Sequence, residues 1–270
     1  MHTTLKFIIP WLILLLLPFS SCAPGVTSEE YATLKEQSKK AESSLAQANA
    51  ELMETKTALN EANEEIAGLK AALEEAKAPF IKEQAACFER VLGQRRSVRD
   101  YTDLPLTKDE VMKLLWASQG ITGPMGARTA PSAGPFYPLR IYLVVGNVME
   151  ISPGVYKYKP EGNALFQVKD GDTRDDLAAA AFDQRWVKEG AVDIVIAAVY
   201  EETATKYGGK AERYVHLEAG HAAQNILLEA TALDLGAVPV GGFDDARVAM
   251  TVGLSRNENP LYIIPIGRKK

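Results

Sequence analysis

Apolar residues return at alternating steps of three and four from Tyr31 to Phe80, passing through Leu45, Leu52, Leu59, Ile66 and Leu73. Of the fifteen a and d positions in this register, thirteen are apolar. The positions between them are mostly Glu, Lys, Gln, Asn, Ser and Thr; no proline falls within residues 27–78, and Gly68 is the single glycine there. An apolar heptad repeat sustained this long predicts a coiled-coil helix over 31–79, of two or a few strands. Many seam positions are alanine and bury little surface, so a solitary charged helix is the alternative. Pro79 predicts the boundary with a second region, because proline lacks the N–H that a helix interior needs.

Beyond Phe80 the pattern becomes a mixture of helical and alternating stretches. IKEQAACFERVLGQRR reads as a helix, and TKDEVMKLLWASQG as another, opened by a capping box of Thr107 and Glu110. LRIYLVV (139–145) and VDIVIAAVY (192–200) are β-branched, continuously apolar runs that predict central strands. Shorter strands are predicted at GVYKYK and ALFQVK, a helix at TRDDLAAAAF, a long buried helix over 211–235 stopped by Gly236, and a last strand at PLYIIPIG.

At 270 residues, 47% hydrophobic and 24% charged, the chain has the composition of an ordinary globular protein. Residues 23–80 carry 11 acidic and 6 basic side chains, which accounts for the formal net charge of -5 and leaves residues 81–270 nearly balanced. No basic face invites nucleic acid. The amino terminus has the tripartite layout of a secretory signal: Lys6, about 13 mainly apolar residues from Phe7 to Phe19, then small residues and Cys22. FSSC resembles a bacterial lipobox, although Phe19 stands where leucine is usual. The expectation is a signal over 1–22, a lipid anchor at Cys22, a tether over 23–30, and an exported lipoprotein of the cell envelope. Acylation of Cys22 would leave Cys87 as the one thiol, so no intrachain disulfide is expected.

In RYVHLEAGHAAQNILLEA (213–230), His216, Glu218 and His221 suggest a zinc site, but the two histidines are five apart. Five residues turn a helix by about 500°, so their rings diverge; four apart would be needed. No metal is expected. GxGxxG, GxxxxGK[ST] and GxSxG are all lacking, so neither a Rossmann fold, a P-loop nor a hydrolase triad is indicated. RRSVRDY (95–101) gathers three arginines and a serine within five residues, a set suited to bidentate contacts with a phosphate or to a solvated basic turn.

Taken together with LLWASQGIT (114–122), TAPSAGPFYPLRIYLV (129–144), GVYKY (154–158), KYG (206–208), the 213–245 segment ending in AVPVGGFDD, and NPLYIIPIGR (259–268), this motif resembles the nitroreductase-like flavoproteins, in particular their SagB-type branch. The match runs in order over roughly residues 88–270 and leaves out the signal and the heptads. The resemblance implies an α+β fold over 80–270, with a central mostly antiparallel sheet flanked by helices, and a homodimer that binds FMN at the subunit interface. The helix around His221 is similar to the family's dimer-core helix, which makes His221 structural. Arg95, Arg96, Ser97 and Arg99 match the first FMN-binding motif, and Arg268 the carboxy-terminal arginine that contacts the phosphate. Pro131, Ser132, Ala133 and Gly134 match the loop that the partner subunit contributes toward the flavin. Gly241 and Gly242 match the turn whose backbone approaches the isoalloxazine ring.

Lys206 and Tyr207 match a Lys-Tyr pair implicated in proton transfer in azoline-oxidising members, although GGKAERY follows here where an Arg-Gly-Tyr-Arg-like run is common. The expected activity is therefore that of an FMN-dependent oxidoreductase transferring hydride on a small-molecule or peptide substrate. NAD(P)H is the usual donor in this family, and an exported protein needs that or another redox partner. Azoline dehydrogenation in peptide maturation and a non-enzymatic envelope scaffold are the alternatives.

Overall fold

The computed structural model describes residues 27–270, so the expected signal and Cys22 lie outside the described residues. The chain forms two compact units divided between Phe80 and Ile81. From Ser28 onward the described residues of the first are helical, belonging to helix α1 (Ser28–Gln94). The a and d side chains Leu45, Leu52, Leu59 and Leu73 are exposed within one chain.

Pro79 does not end this helix, contrary to the sequence expectation: α1 continues through it to Gln94. Proline removes the bond that its own N–H would give to the Glu75 carbonyl and crowds that carbonyl with its ring, a local cost that the helical residues on either side absorb.

The second unit, Ile81–Lys270, is built on a six-stranded sheet of β1 (Leu139–Val145), β2 (Gly154–Lys159), β3 (Ala164–Asp170), β4 (Val192–Ala198), β5 (Leu235–Ala237) and β6 (Asn259–Arg268). The strand order is β3-β2-β1-β4-β6-β5, and every pairing is antiparallel. In β1 and β4, Leu139, Ile141, Leu143 and Val145 stand opposite Ala198, Ile196, Ile194 and Val192. They face a core shared with helices α2 (Lys108–Gln119) and α6 (Ala211–Ala232). The alternate residues Tyr142, Val144 and Val195 face a second core, closed by α3 (Arg174–Ala180), α4 (Arg185–Glu189) and α7 (Asp245–Val252). Both faces of the central strands are covered, which is why β1 and β4 read as continuous apolar runs. Each buried Leu or Ile contributes about 2 kcal/mol relative to exposure.

The Thr107 capping box opens α2 as expected, with the Thr107 hydroxyl accepting from the Glu110 N–H and the Glu110 carboxylate accepting from the Thr107 N–H. Helix α5 (Tyr200–Tyr207) begins where the sequence predicts the end of a strand; β4 stops at Ala198. Gly236 is not a helix stop. Helix α6 ends at Ala232, Asp234 takes a positive φ of 58°, and Gly236 lies within β5.

Candidate functional site

The segment after α1 lies along the far edge of the sheet. Ser97 bridges Ala237, the Val98 N–H donates to the Ala237 carbonyl at 3.0 Å, and the Thr102 N–H donates to the Arg268 carbonyl at 2.9 Å. Two glycines make this close approach possible. A Cβ at Gly236 would lie 2.7 Å from Val98 Cγ1, and one at Gly267 would lie 2.9 Å from the Tyr101 ring. The Tyr101 hydroxyl points inward, shared between the carbonyls of Val98 at 2.8 Å and Pro265 at 3.1 Å.

This pinned segment presents Arg95, Arg96, Ser97 and Arg99. Arg96, Ser97 and Arg99 are exposed, and Arg95 is half-buried. None of the three arginines forms an ion pair among the described residues. Arg96 Nη1 donates to the carbonyls of Gly93 at 3.0 Å and Arg95 at 2.8 Å, which seats it on the carboxy end of α1. The Arg99 guanidinium stands over Trp186, 5.3 Å from the ring centroid. Next to Trp186, Arg185 pairs with Asp100 at 2.7 Å, and the Gln184 side-chain amide donates to the Gly242 carbonyl at 2.9 Å. Helix α4 and the residue before it thus tie the arginine segment to the turn at Gly241 and Gly242. Those two glycines are exposed, and a Cβ on either would meet no atom within 4 Å among the described residues other than its chain neighbours. Uncommitted positive charge beside an open glycine turn fits a phosphorylated planar ligand such as FMN.

Arg268, expected as a phosphate contact, has an acidic partner within the chain. Its guanidinium makes a two-pronged ion pair with Glu110, 2.9 Å at each contact. Burial alone would raise the Glu110 carboxyl; hydrogen bonds from the Thr107 backbone and hydroxyl and from Arg268 together hold it below its ordinary value. The pair joins the last strand to the start of α2.

A second group of expected site residues gathers at the end of α5. The Tyr207 ring meets Tyr214 edge-on at 4.9 Å between centroids and Phe136 at 6.3 Å, and Lys206 Nζ lies 5.4 Å from the Tyr207 centroid. Gly134 adopts a φ of 64°, and a Cβ there would come within 2.9 Å of the Phe136 ring and 3.1 Å of the Tyr207 hydroxyl. The loop Pro131–Gly134 and the Lys-Tyr pair therefore share one wall. Lys206 is exposed. Beside this wall lies a cavity of about 400 Å³ lined by Gln119, Arg128, Tyr137, Arg140, Tyr158 and Glu202, among others. Arg128 spans it, donating to Gln119 Oε1 at 2.9 Å and standing 4.4 Å over Tyr137, and Arg140 pairs with Glu202.

Among the described residues, no side-chain hydrogen bond or ion pair links the arginine group to the Lys-Tyr group. The chain thus carries two groups of expected site residues.

Sequence reasoning considered Glu218 only as a metal ligand, yet it is 2% exposed on the buried face of α6. Burial pushes its carboxyl up to about 7, against the lowering effect of the Ser132 hydroxyl and the Arg128 guanidinium. The available signal was its place in the apolar stripe Val215, Ala219, Ala222 and Ala223. His221 and Leu217 occupy the opposite, exposed face of the same helix.

Residues 92–268 match the Nitroreductase family. A Methanocaldococcus jannaschii protein provisionally named a nitroreductase is 44% identical over 181 residues, 67% of this chain and 90% of that protein. A solved structure from Anabaena variabilis with the same provisional name superposes at a TM-score of 0.61 and 28% identity, covering 68% of this chain and 38% of its own. This chain therefore spans less than two thirds of that relative. The E. coli microcin synthetase McbBCD complex with truncated pro-MccB17 bound gives a TM-score of 0.59 at 26% identity, over 66% of this chain and 70% of that one. A provisionally named nitroreductase from Desulfovibrio desulfuricans, solved in complex with FMN, gives 0.50 at 26% identity, over 67% and 86%.

Proposed function

This chain belongs to the nitroreductase family and is an FMN-dependent oxidoreductase, and we propose that it is of the SagB type, an exported homodimer acting by hydride transfer on a small-molecule substrate. One observation carries the reading: Arg95, Arg96 and Arg99, without acidic partners among the described residues, lie on a segment pinned to β5 and tied through α4 to the open turn at Gly241 and Gly242. Bound FMN supplies the redox chemistry, accepting and releasing a hydride.

The chain's own residues hold and shield that group. Arg95 and Arg99 meet the phosphate with charge-assisted hydrogen bonds, and the Ser97 hydroxyl adds a further donor. Arg268 orders the neighbouring edge through Glu110 and contacts the phosphate only by sharing its guanidinium. Pro131, Ser132, Ala133 and Gly134 come from the second copy, which explains why the two groups are not joined within one chain. Apolar Leu217 on the exposed face of α6 supplies part of the contact between copies. Lys206 and Tyr207, on the substrate side, are placed to move a proton. Electrons come from NAD(P)H or, in the envelope, from another redox partner. Residues 31–79 associate as a coiled coil, and lipidated Cys22 anchors the chain to the membrane.

The test is the absorbance spectrum of the purified protein. The reading expects a yellow protein with about one FMN per chain, bleached anaerobically by a donor. A colourless protein that takes up no FMN on titration refutes it.

A second reading, azoline dehydrogenation during peptide maturation, is favoured by one contact, the Tyr207 hydroxyl against the loop at Gly134. The likeness to the McbBCD structure, which holds a truncated peptide precursor, supports it.

A further inference from the structure

The cavity of about 400 Å³ beside the Lys-Tyr wall has the size of a small-molecule site, roughly 300–1,000 Å³. Four cationic side chains line it, Arg128, Arg140, Lys157 and Lys159, against two acidic ones, Glu161 and Glu202. Two of the cations are committed. Arg140 pairs with Glu202 and donates to the carbonyls of Tyr137 and Leu139 at 3.1 Å, while Lys157 donates to Glu258 at 2.6 Å. Lys159 is exposed and makes no hydrogen bond or ion pair among the described residues; its ammonium stands 4.3 Å from the Phe166 centroid. Arg128 is half committed. A guanidinium has two edges that match a carboxylate, Nη1 with Nη2 and Nε with Nη2. Nη1 donates to Gln119 Oε1 at 2.9 Å, whereas Nε is enclosed without a partner among the described residues, and Nη2 reaches only the Glu161 carboxylate, at 3.6 Å, beyond hydrogen-bond distance. Fully buried Gln119 has its own unpartnered donor, Nε2. Enclosed donors left unmet are costly, and a ligand acceptor relieves that cost. Glu161, in the exposed turn between β2 and β3, marks where an acid meets this edge of Arg128 but holds the place loosely.

Aromatic rings complete the wall. The Tyr137 ring centroid lies 4.4 Å from the Arg128 guanidinium, and the Tyr137 backbone takes a left-handed φ of 48°, with its N–H donating to Ser132 Oγ at 2.9 Å. A bulky residue keeps that conformation only where its surroundings fix it. We propose that this cavity binds a planar carboxylate of the benzoate kind, its two oxygens on the Nε–Nη2 edge of Arg128 in the place of Glu161, with Lys159 adding charge and Phe136 and Tyr137 flanking the ring. The site goes beyond the flavin reading, because it is lined by one chain and takes its ligand with or without FMN. Phe136 also meets Tyr207 edge-on, so the bound acid lies next to the expected substrate side.

The experiment is isothermal calorimetry on the purified full chain, with benzoate and its uncharged analogue benzamide as probes and FMN content recorded on the same sample. Benzoate is expected to bind about tenfold or more tightly than benzamide, the effect of a charge-assisted bidentate contact. Arg128→Gln is expected to erase that preference, and Lys159→Gln to reduce it. Glu161→Gln frees the Arg128 edge from its own carboxylate, so it is expected to tighten benzoate about threefold or more while leaving benzamide unchanged. Glu161 is exposed, so this variant tests the proposal even if Arg128→Gln does not fold. Absence of benzoate binding, equal affinity for the two probes, or a Glu161→Gln protein that binds benzoate no more tightly than wild type overturns the proposal. The FMN content tests the flavin reading separately, since benzoate binding does not depend on it.

Discussion

Replacing Gly236 by alanine puts a methyl group 2.7 Å from Val98 Cγ1 and 3.1 Å from the Tyr101 ring. Ordinary contact begins at 3.4 Å, so the Ser97–Tyr101 segment must move off β5 by about 0.7 Å or Val98 must leave its rotamer. Gly236 itself has no positive φ, so the backbone accepts alanine without strain. Overpacking of this kind costs about 1–3 kcal/mol, and the stiffer unfolded chain returns roughly 0.4–1 kcal/mol. The net loss of about 1–2 kcal/mol corresponds to a Tm lower by roughly 3–6 °C for a domain of this size. A displaced segment also carries its arginines away from the phosphate. Losing one charge-assisted hydrogen bond, worth about 1.5–3 kcal/mol, raises the Kd for FMN at least about tenfold. The assays are thermal unfolding and fluorescence titration of the apoprotein with FMN. Val98→Ala in the same chain removes the clashing atom, so the double variant is expected to recover both Tm and affinity, with a favourable coupling of about 1 kcal/mol. A Gly236→Ala protein equal to wild type in both measurements, or one that Val98→Ala does not rescue, refutes the reasoning.

Glu258 is nearly buried and accepts hydrogen bonds from Lys157 and Tyr142 at 2.6 Å and from the Ser255 N–H at 2.9 Å, so Glu258→Gln is expected to cost about 2–3 kcal/mol in urea unfolding. Burial raises that carboxyl, but Lys157, Tyr142 and Ser255 together hold it below its ordinary value. Its contribution is therefore full above the unfolded pKa and lost as pH falls through the folded one; Glu258→Gln is expected to flatten that acid branch of the stability curve. Tyr207→Phe and Lys206→Ala are expected to keep full FMN and nitroaromatic reduction but to abolish azoline oxidation if the peptide reading holds; equal loss of both activities would assign the pair to general architecture. Paired Leu45→Lys and Leu59→Lys changes on the heptad stripe are expected to lower the association state seen by sedimentation without altering the flavin spectrum.

The elements with the strongest internal patterns were legible in the sequence. β1 and β4 are continuous apolar runs because both their faces are covered, and the Thr107–Glu110 box marks the start of α2 by local chemistry alone. Pro79 lies beside the division between the two units, yet the helix runs through it, because proline weights a helix end without compelling one. Helix α5 was hidden by VDIVIAAVY, whose apolar run crosses from strand to helix, although Glu201 and Glu202 in the first turn were a readable sign. Helix α7 had a similar sign in Asp244, whose side chain accepts the Arg247 N–H. Gly236 looked like a helix stop because a sequence does not show that Val98, far away along the chain, packs against it. The same limit applies to the candidate site. The arginine motif and the Pro131–Gly134 loop are local, whereas the Arg268–Glu110 pair and the burial of Glu218 are created by tertiary approach.

The account stands on the arginines at 95–99 holding the phosphate of the flavin, and comparing FMN with riboflavin on the apoprotein tests this most directly. The two ligands differ only in that phosphate. The expected result is FMN bound about a hundredfold or more tighter than riboflavin, equivalent to about 2.7 kcal/mol, with the preference largely lost in Arg95→Ala and Arg99→Ala. Equal affinity for the two ligands, or a preference that survives both substitutions, would contradict it.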